Sequence, residues 1–183
     1  ATSADQLPAV PPLPKVPPAA SPHPARAAAQ RPTRRAAPGA AAGGTVGGGC
    51  TAGNVSALVA ARQQWRKTKP DREALRGLII SSKGAHASRK QATYVMDVDL
   101  REVGGDRLTG EDVRDAVAAL SEDERERLFA IACTAGTTNL GIIDDMQGIG
   151  EASHDFGLWM HVDGAYGGAG LAAPSIRHAF DGI

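Results

Sequence analysis

Beyond Gly44 the sequence alternates short apolar runs with stretches of helical spacing, and this alternation limits the folds open to it more than any other feature. Leu78-Ile79-Ile80-Ser81 and Leu128 to Thr134 are too short for helices and almost uninterrupted in apolar character, as strands buried on both faces are. Between and around them lie helical patterns. Asn54 to Lys67 carries Val55, Leu58, Val59 and Arg62 at helical spacing, and Pro70 marks its end. A second helix is predicted to begin near His86. A third is signalled by Thr109 as N-cap with Asp112 three residues on, followed by Val113, Ala116, Val117 and Leu120 on one face. Asp144 to His154 has Met146, Ile149 and Ala152 at helical spacing despite Gly148 and Gly150, and Leu158 to Asp163 is a strand that runs into a Gly-rich turn. Strand, helix and strand in this order predict an α/β fold, a mostly parallel sheet with helices on both faces.

The first 44 residues do not share the pattern. They are dominated by Ala, Pro, Gly and Arg, with Pro11, Pro12, Pro14, Pro17 and Pro18 close together and no periodic apolar face, so burial cannot offset the entropy of ordering them. The segment 1–44 is therefore expected to be disordered, leaving 45–183 as the folded part. No Asp or Glu falls between Asp5 and Asp71, while Arg26, Arg31, Arg34 and Arg35 cluster, as in a transit peptide or a nucleic-acid arm. No aromatic side chain interleaves those arginines as a single-strand binder requires, so nucleic acid is not an expected partner. No apolar run approaches the ~20 residues that cross a bilayer, and no membrane association is expected. Two cysteines in 183 residues make no disulfide framework and fit a reducing, cytoplasmic setting. The net charge of zero names no charged partner.

In open parallel sheets the ligand sits beyond the carboxyl ends of the strands. Those positions here hold Ser82 to His86, Ala135-Gly136-Thr137-Thr138, and Asp163-Gly164-Ala165-Tyr166-Gly167-Gly168. The helix that follows Gly49 offers free N–H groups, a partial positive charge and the hydroxyl of Thr51, which together suit a phosphate. Gly47 to Ala52 also fits the dinucleotide pattern G-x-G-x-x-A, but Pro38 to Gly44 is no strand and no acidic residue stands at the end of the next one. His161 and Asp163 share a strand face and could make a metal site with His154, a reading that explains one motif only; no metal is expected.

Four strings occur in order: Gly49-Cys50-Thr51-Ala52-Gly53-Asn54, Ala85-His86-Ala87-Ser88, Gly136-Thr137-Thr138 with Gly141 and Asp144 behind it, and Trp159 to Gly168. From about Thr45 to Ile183 the chain thereby resembles the group II pyridoxal-phosphate-dependent amino-acid decarboxylases, the glutamate, aromatic-amino-acid and histidine type. The resemblance implies part of the large domain of the aspartate-aminotransferase-like fold (fold type I) and pyridoxal 5'-phosphate as cofactor. It implies an L-amino acid as substrate and carbon dioxide as product, in a protein that is a homodimer when full length.

The resemblance also implies roles. Asp163 matches the aspartate that pairs with the cofactor's ring nitrogen, and a carboxylate there favours the protonated ring, the better electron sink. Ala165, two residues on along an extended chain, matches the small residue beneath the ring. His86 matches the histidine stacked on the opposite ring face, toward the substrate carboxylate. Cys50 and Thr51 match the pair that holds the phosphate with the helix start, and Thr137 matches a threonine near the ring substituents. His86 and Asp163 are thus the expected catalytic residues. Cys50 and Gly164 depart from the Gly or Ala and the Ala frequent in relatives, without removing a donor or a charge. The family's Schiff-base lysine follows a histidine shortly beyond the position of Ile183. None of Lys15, Lys67, Lys69, Lys83 and Lys90 stands in that context, so the chain is expected to be a fragment, inactive alone. A non-catalytic remnant and another fold type I enzyme, such as an aminotransferase, are the alternatives, since fold and cofactor do not fix the reaction.

Overall fold

The computed structural model describes residues 48–68, 71 and 75–183; the segment 1–44 expected to be disordered lies outside them. The strands are β1 (Leu78–Ser82), β2 (Asp99–Val103), β3 (Leu128–Thr134) and β4 (Trp159–Asp163). The helices are α1 (Cys50–Arg66), α2 (Ser88–Met96), α3 (Gly110–Ala118), α4 (Glu122–Arg127) and α5 (Met146–Phe156), and two short 3-10 turns, Gly168–Ala172 and Arg177–Phe180, follow β4. The four strands form one sheet in the order β2-β1-β3-β4, every pair parallel.

Both faces of the sheet are covered, because the central strands carry apolar side chains on each. Ile80, Ile131 and Cys133 pack with Val113 and Val117 of α3 and Met146, Ile149 and Ala152 of α5. Ile79, Phe129, Ala130 and Ala132 pack on the other face with Leu58, Ala61 and Trp65 of α1 and Ala92 and Met96 of α2. Phe129 and Ala130 are neighbours in sequence yet share a face. The pairing with β1 explains this, since Leu78 sits opposite Leu128 but Ile79 opposite Ala130, a bulge that takes up one residue of β3. Burial of Cys133 pushes its thiol up to about 12, so it packs as an uncharged apolar group.

The helix ends follow the sequence signals. Thr109 and Asp112 form a reciprocal capping box at the start of α3, with Thr109 Oγ1 accepting from the Asp112 N–H at 3.1 Å. Gly148, out of place by propensity inside α5, has a packing reason. A Cβ on Gly148 would stand 2.1 Å from Asp145 Oδ2, and a Cβ added to Gly110 would stand 2.4 Å from the Gly148 carbonyl oxygen, so the start of α3 lies directly against the backbone of α5. Asp145 ties the contact together, accepting from the Gly148 N–H at 3.1 Å and the Gly110 N–H at 3.2 Å. Among the described residues no helix is long and apolar enough to cross a membrane.

The chain leaves β1 for β2 on one side and returns to β3 on the other, so the direction of winding changes between β1 and β3. Crossovers on opposite faces open a crevice at such a switch point.

Candidate active site

A cavity of about 630 Å³ lies at the carboxyl ends of β1, β3 and β4, within the ~300–1,000 Å³ usual for ligand pockets. Gly84, Ala85 and His86 line it from the turn after β1, Gly136, Thr137 and Thr138 from the turn after β3, and Asp163, Ala165 and Tyr166 from the end of β4. Cys50 borders it from the first turn of α1, and Asp106 from the loop after β2. Of the six residues singled out in the sequence, Cys50, His86, Thr137, Asp163 and Ala165 therefore come together on one cavity. Thr51 is exposed on the first turn of α1 and is not among the lining residues.

Asp163 is the last residue of β4 and only 6% exposed. Its Oδ2 accepts from Asn54 Nδ2 at 2.9 Å, and its Oδ1 from the Ala165 N–H at 3.2 Å and from the Cys50 thiol at 3.6 Å. Burial pushes the carboxyl up, but the bonds from Asn54, Ala165 and Cys50 and the charge of Arg89 outweigh it and hold the group below the usual carboxylate range. The Cys50 thiol also lies 3.9 Å from Oδ2, and Asp163 is itself one of the residues that line the cavity. The thiol of Cys50 is the proton donor in its contact, because burial and the neighbouring carboxylate raise its pKa. Cys50 thus turns its side chain to Asp163, and what it offers an anion at the helix start is its backbone N–H.

Ala165 reaches the cavity differently from the extended path expected. The strand stops at Asp163, and the chain turns so that the Ala165 N–H bonds back to the Asp163 side chain, an Asx-type turn. Asp163 itself offers the turn its acceptor, which bends the chain away from an extended path. At Gly164 an alanine Cβ would stand 3.3 Å from Gly168 Cα, so either residue fits after a slight shift.

The turn after β3 is held by Thr137, whose hydroxyl oxygen accepts from the Ile142 N–H at 3.1 Å and whose own hydrogen stays free for the cavity. His86 Nδ1 accepts from the Ser88 N–H at 3.2 Å and lies 3.0 Å from Ser88 Oγ, so Nε2 is the nitrogen left for a ligand. His154, expected as the third ligand of a metal reading, sits on α5 with a side chain 92% exposed, apart from the other two. His161 and Asp163 do share a face, but Asn54 stands between them, its Oδ1 2.9 Å from His161 Nε2. Among the described residues no group of three or more His, Cys, Asp or Glu side chains is placed to hold a metal.

Three further residues carry the site without having been given a role from the sequence. Asn54 and Ser88 are buried and bonded to each other at 3.1 Å. Arg89 is 2% exposed and spans the floor, donating to Ser81 Oγ at 2.6 Å, the Ala132 carbonyl at 2.9 Å and Thr134 Oγ1 at 3.0 Å. Burial lowers its pKa, and Asp163 and Asp144 oppose the loss of its charge. The signal for Asn54 was present in the sequence. It heads the stripe Asn54, Leu58, Ala61 and Trp65 that α1 buries, and a polar side chain on such a stripe requires partners.

The chain matches the family model described as "Pyridoxal-dependent decarboxylase conserved domain" over residues 28–183. It is 30% identical over 146 residues to human cysteine sulfinic acid decarboxylase, covering 73% of this chain and 29% of that protein. It is 33% identical over 101 residues to 4-hydroxyphenylacetaldehyde synthase of Rhodiola rosea, covering 55% of this chain and 20% of that one. Among solved structures it superimposes on mouse cysteine sulfinic acid decarboxylase with a TM-score of 0.68 and 30% identity, over 78% of this chain and 32% of that one. The chain therefore spans less than a third of the length of these relatives, and the parallel sheet is part of the large domain of the fold type I architecture. On the match of its sequence over 28–183, the chain belongs to the pyridoxal-dependent decarboxylase family.

Proposed function

We propose that this chain supplies the pyridoxal-phosphate cradle of an L-amino-acid carboxy-lyase, a cytoplasmic enzyme that works as a homodimer. The observation that carries the reading is the Asp163 carboxylate, held below the usual carboxylate range and fixed by Asn54 and the Ala165 N–H on the wall of the cavity. A buried anion aimed into a pocket suits a cationic nitrogen, and the other residues fit the rest of the same cofactor. Gly49 gives α1 no side-chain cap and no acidic residue stands in its first turn, so the N–H groups of Cys50 and Thr51 and the Thr51 hydroxyl suit a phosphate. His86 closes the cavity from the turn after β1, Ala165 leaves room for a flat ring from the turn after β4, and Thr137 offers a hydroxyl hydrogen at the side.

When bound, the cofactor supplies an electron sink for the pair released as the carbon–carboxylate bond breaks. The protein's part is electrostatic. Asp163 holds a proton on the ring nitrogen, the charge that makes the sink effective, and does so from a pre-formed position that costs no reorganisation. His86, with Nδ1 engaged by Ser88, presents Nε2–H toward the substrate carboxylate.

Titration of the chain with pyridoxal phosphate tests this reading. Among the described residues no lysine lines the cavity, so binding is expected to be saturable, reversible by dialysis, and to leave no pyridoxyl group on one particular lysine after borohydride reduction. Absence of saturable binding would contradict the cradle. A stoichiometric pyridoxyl group mapped to Lys67, Lys83 or Lys90 would contradict the assignment of this cavity.

A further inference from the structure

We infer that Asn54 and His161 form a positioning pair in which the amide of Asn54 sets the direction of the Asp163 carboxylate and His161 sets the direction of the amide; this rests on Asp163 as the ring-nitrogen partner. The two ends of an asparagine amide are chemically opposite, and the surroundings here decide which points where. A carboxylate can only accept, so the nitrogen must face Asp163, at 2.9 Å from Oδ2, and its second hydrogen goes to Ser88 Oγ at 3.1 Å. The oxygen then faces His161 Nε2 at 2.9 Å, so that nitrogen must carry a hydrogen. Burial keeps the imidazole neutral, against the pull of Asp163, which fixes the Nε2–H tautomer and leaves Nδ1 bare.

The opposite tautomer would disturb the whole arrangement. If His161 carried its proton on Nδ1, its Nε2 would accept, the amide would turn over to donate to it, and the amide oxygen would stand 2.9 Å from the Asp163 carboxylate. Two acceptors at that distance, with Asn54 4% and Asp163 6% exposed, cannot be relieved by water. Tautomer, amide and carboxylate therefore switch together or not at all. Ser88 extends the same unit: having accepted from Asn54, its hydroxyl gives its own hydrogen to His86 Nδ1, so the two expected catalytic residues, His86 and Asp163, are ends of one bonded chain. Asp163 is also faced by the Ala165 N–H, by the thiol of Cys50 on α1 and by the charge of Arg89 on α2, and that charge acts with burial to keep His161 neutral.

The test uses the full 183-residue chain without cofactor. Nitrogen-15 shifts of His161 are expected to show the Nε2–H tautomer alone, and the carbon-13 titration of the Asp163 carboxyl to fall below the ordinary range. Asn54→Leu should mix the tautomers of His161 and make Asp163 roughly a tenfold weaker acid, the scale of one hydrogen bond to a charged group. His161→Phe should weaken Asp163 in the same direction although it touches the carboxylate only through Asn54, and it decides the matter if Asn54→Leu fails to fold. Ser88→Ala should leave the Asp163 titration where it is, because the Asn54 bond persists. An Nδ1–H tautomer in the wild type, or an Asp163 titration unmoved by His161→Phe, overturns the inference. Neither outcome touches the pairing of Asp163 with the ring nitrogen, which stands or falls on the state of the bound cofactor.

Discussion

Asp163→Asn in the holoenzyme is expected to lower turnover roughly a thousandfold, about 4 kcal/mol of barrier, while cofactor binding persists through the start of α1. The exchange keeps the size of the side chain and an oxygen that can still accept from Asn54 or the Ala165 N–H. It removes the charge and puts an amide N–H in place of one carboxylate oxygen. Without the Asp163 charge nothing here would hold the proton on the ring nitrogen, and the electron sink the cofactor would supply would be weaker. Turnover, cofactor absorbance and metal content measured on the one variant separate the explanations. Near-normal turnover would remove Asp163 from the mechanism, and loss of a stoichiometric metal would favour the His161–Asp163 metal reading.

The largest expected effect on stability lies one layer below, at Asp144. It is 1% exposed, and its two oxygens accept from the Leu108 N–H at 2.8 Å and the Thr134 N–H at 2.7 Å. It thereby joins the loop before α3 to the end of β3, next to the cavity. Asp144→Ala leaves two buried N–H groups without an acceptor, each costing about 1–3 kcal/mol, so a total loss of about 3–5 kcal/mol is expected in urea unfolding. That is a large part of the ~5–15 kcal/mol by which a domain is stable. Burial raises the pKa of Asp144, opposed by the two N–H bonds and by Arg89. The sign follows: a raised folded-state value means the folded chain binds the proton more tightly, so this contribution to stability is present at acid pH and fades as pH rises through the folded value. The wild type should lose that increment on going from acid to neutral pH and Asp144→Ala should not. A loss under 1 kcal/mol for the variant would show that the two N–H groups find other partners.

The elements that sequence and structure agree on are those with a local physical cause. Leu128 to Thr134 is a strand because it is apolar on both faces and sits in the middle of the sheet. The start of α3 was legible because Thr109 and Asp112 form their box within four residues. Two elements went unread. β2 is Asp-Leu-Arg-Glu-Val, an edge strand half-exposed throughout, so its composition looks like surface and only its pairing to β1 makes it a strand. α4 has no buried residue, so it lacks an apolar face, although Ser121 and Glu124 announce it with a second capping box. At the site the same division holds. Residues at strand ends could be placed from topology, and five of six do line one cavity. The partners of Asp163 could not, because Asn54 lies 109 residues away and nothing local says that its amide meets that carboxylate. Gly148 is legible in the sequence only as an anomaly, because the Asp145 carboxylate that fills the place of its Cβ is a feature of the folded cap.

Pairing of the Asp163 carboxylate with a protonated pyridine nitrogen is read directly by the nitrogen-15 resonance of ring-labelled pyridoxal phosphate bound to this chain. At neutral pH the wild type is expected to show a protonated ring nitrogen, and Asp163→Asn to move it to the position of an unprotonated pyridine. An unprotonated ring in the wild type, or the same resonance in both, would contradict the account.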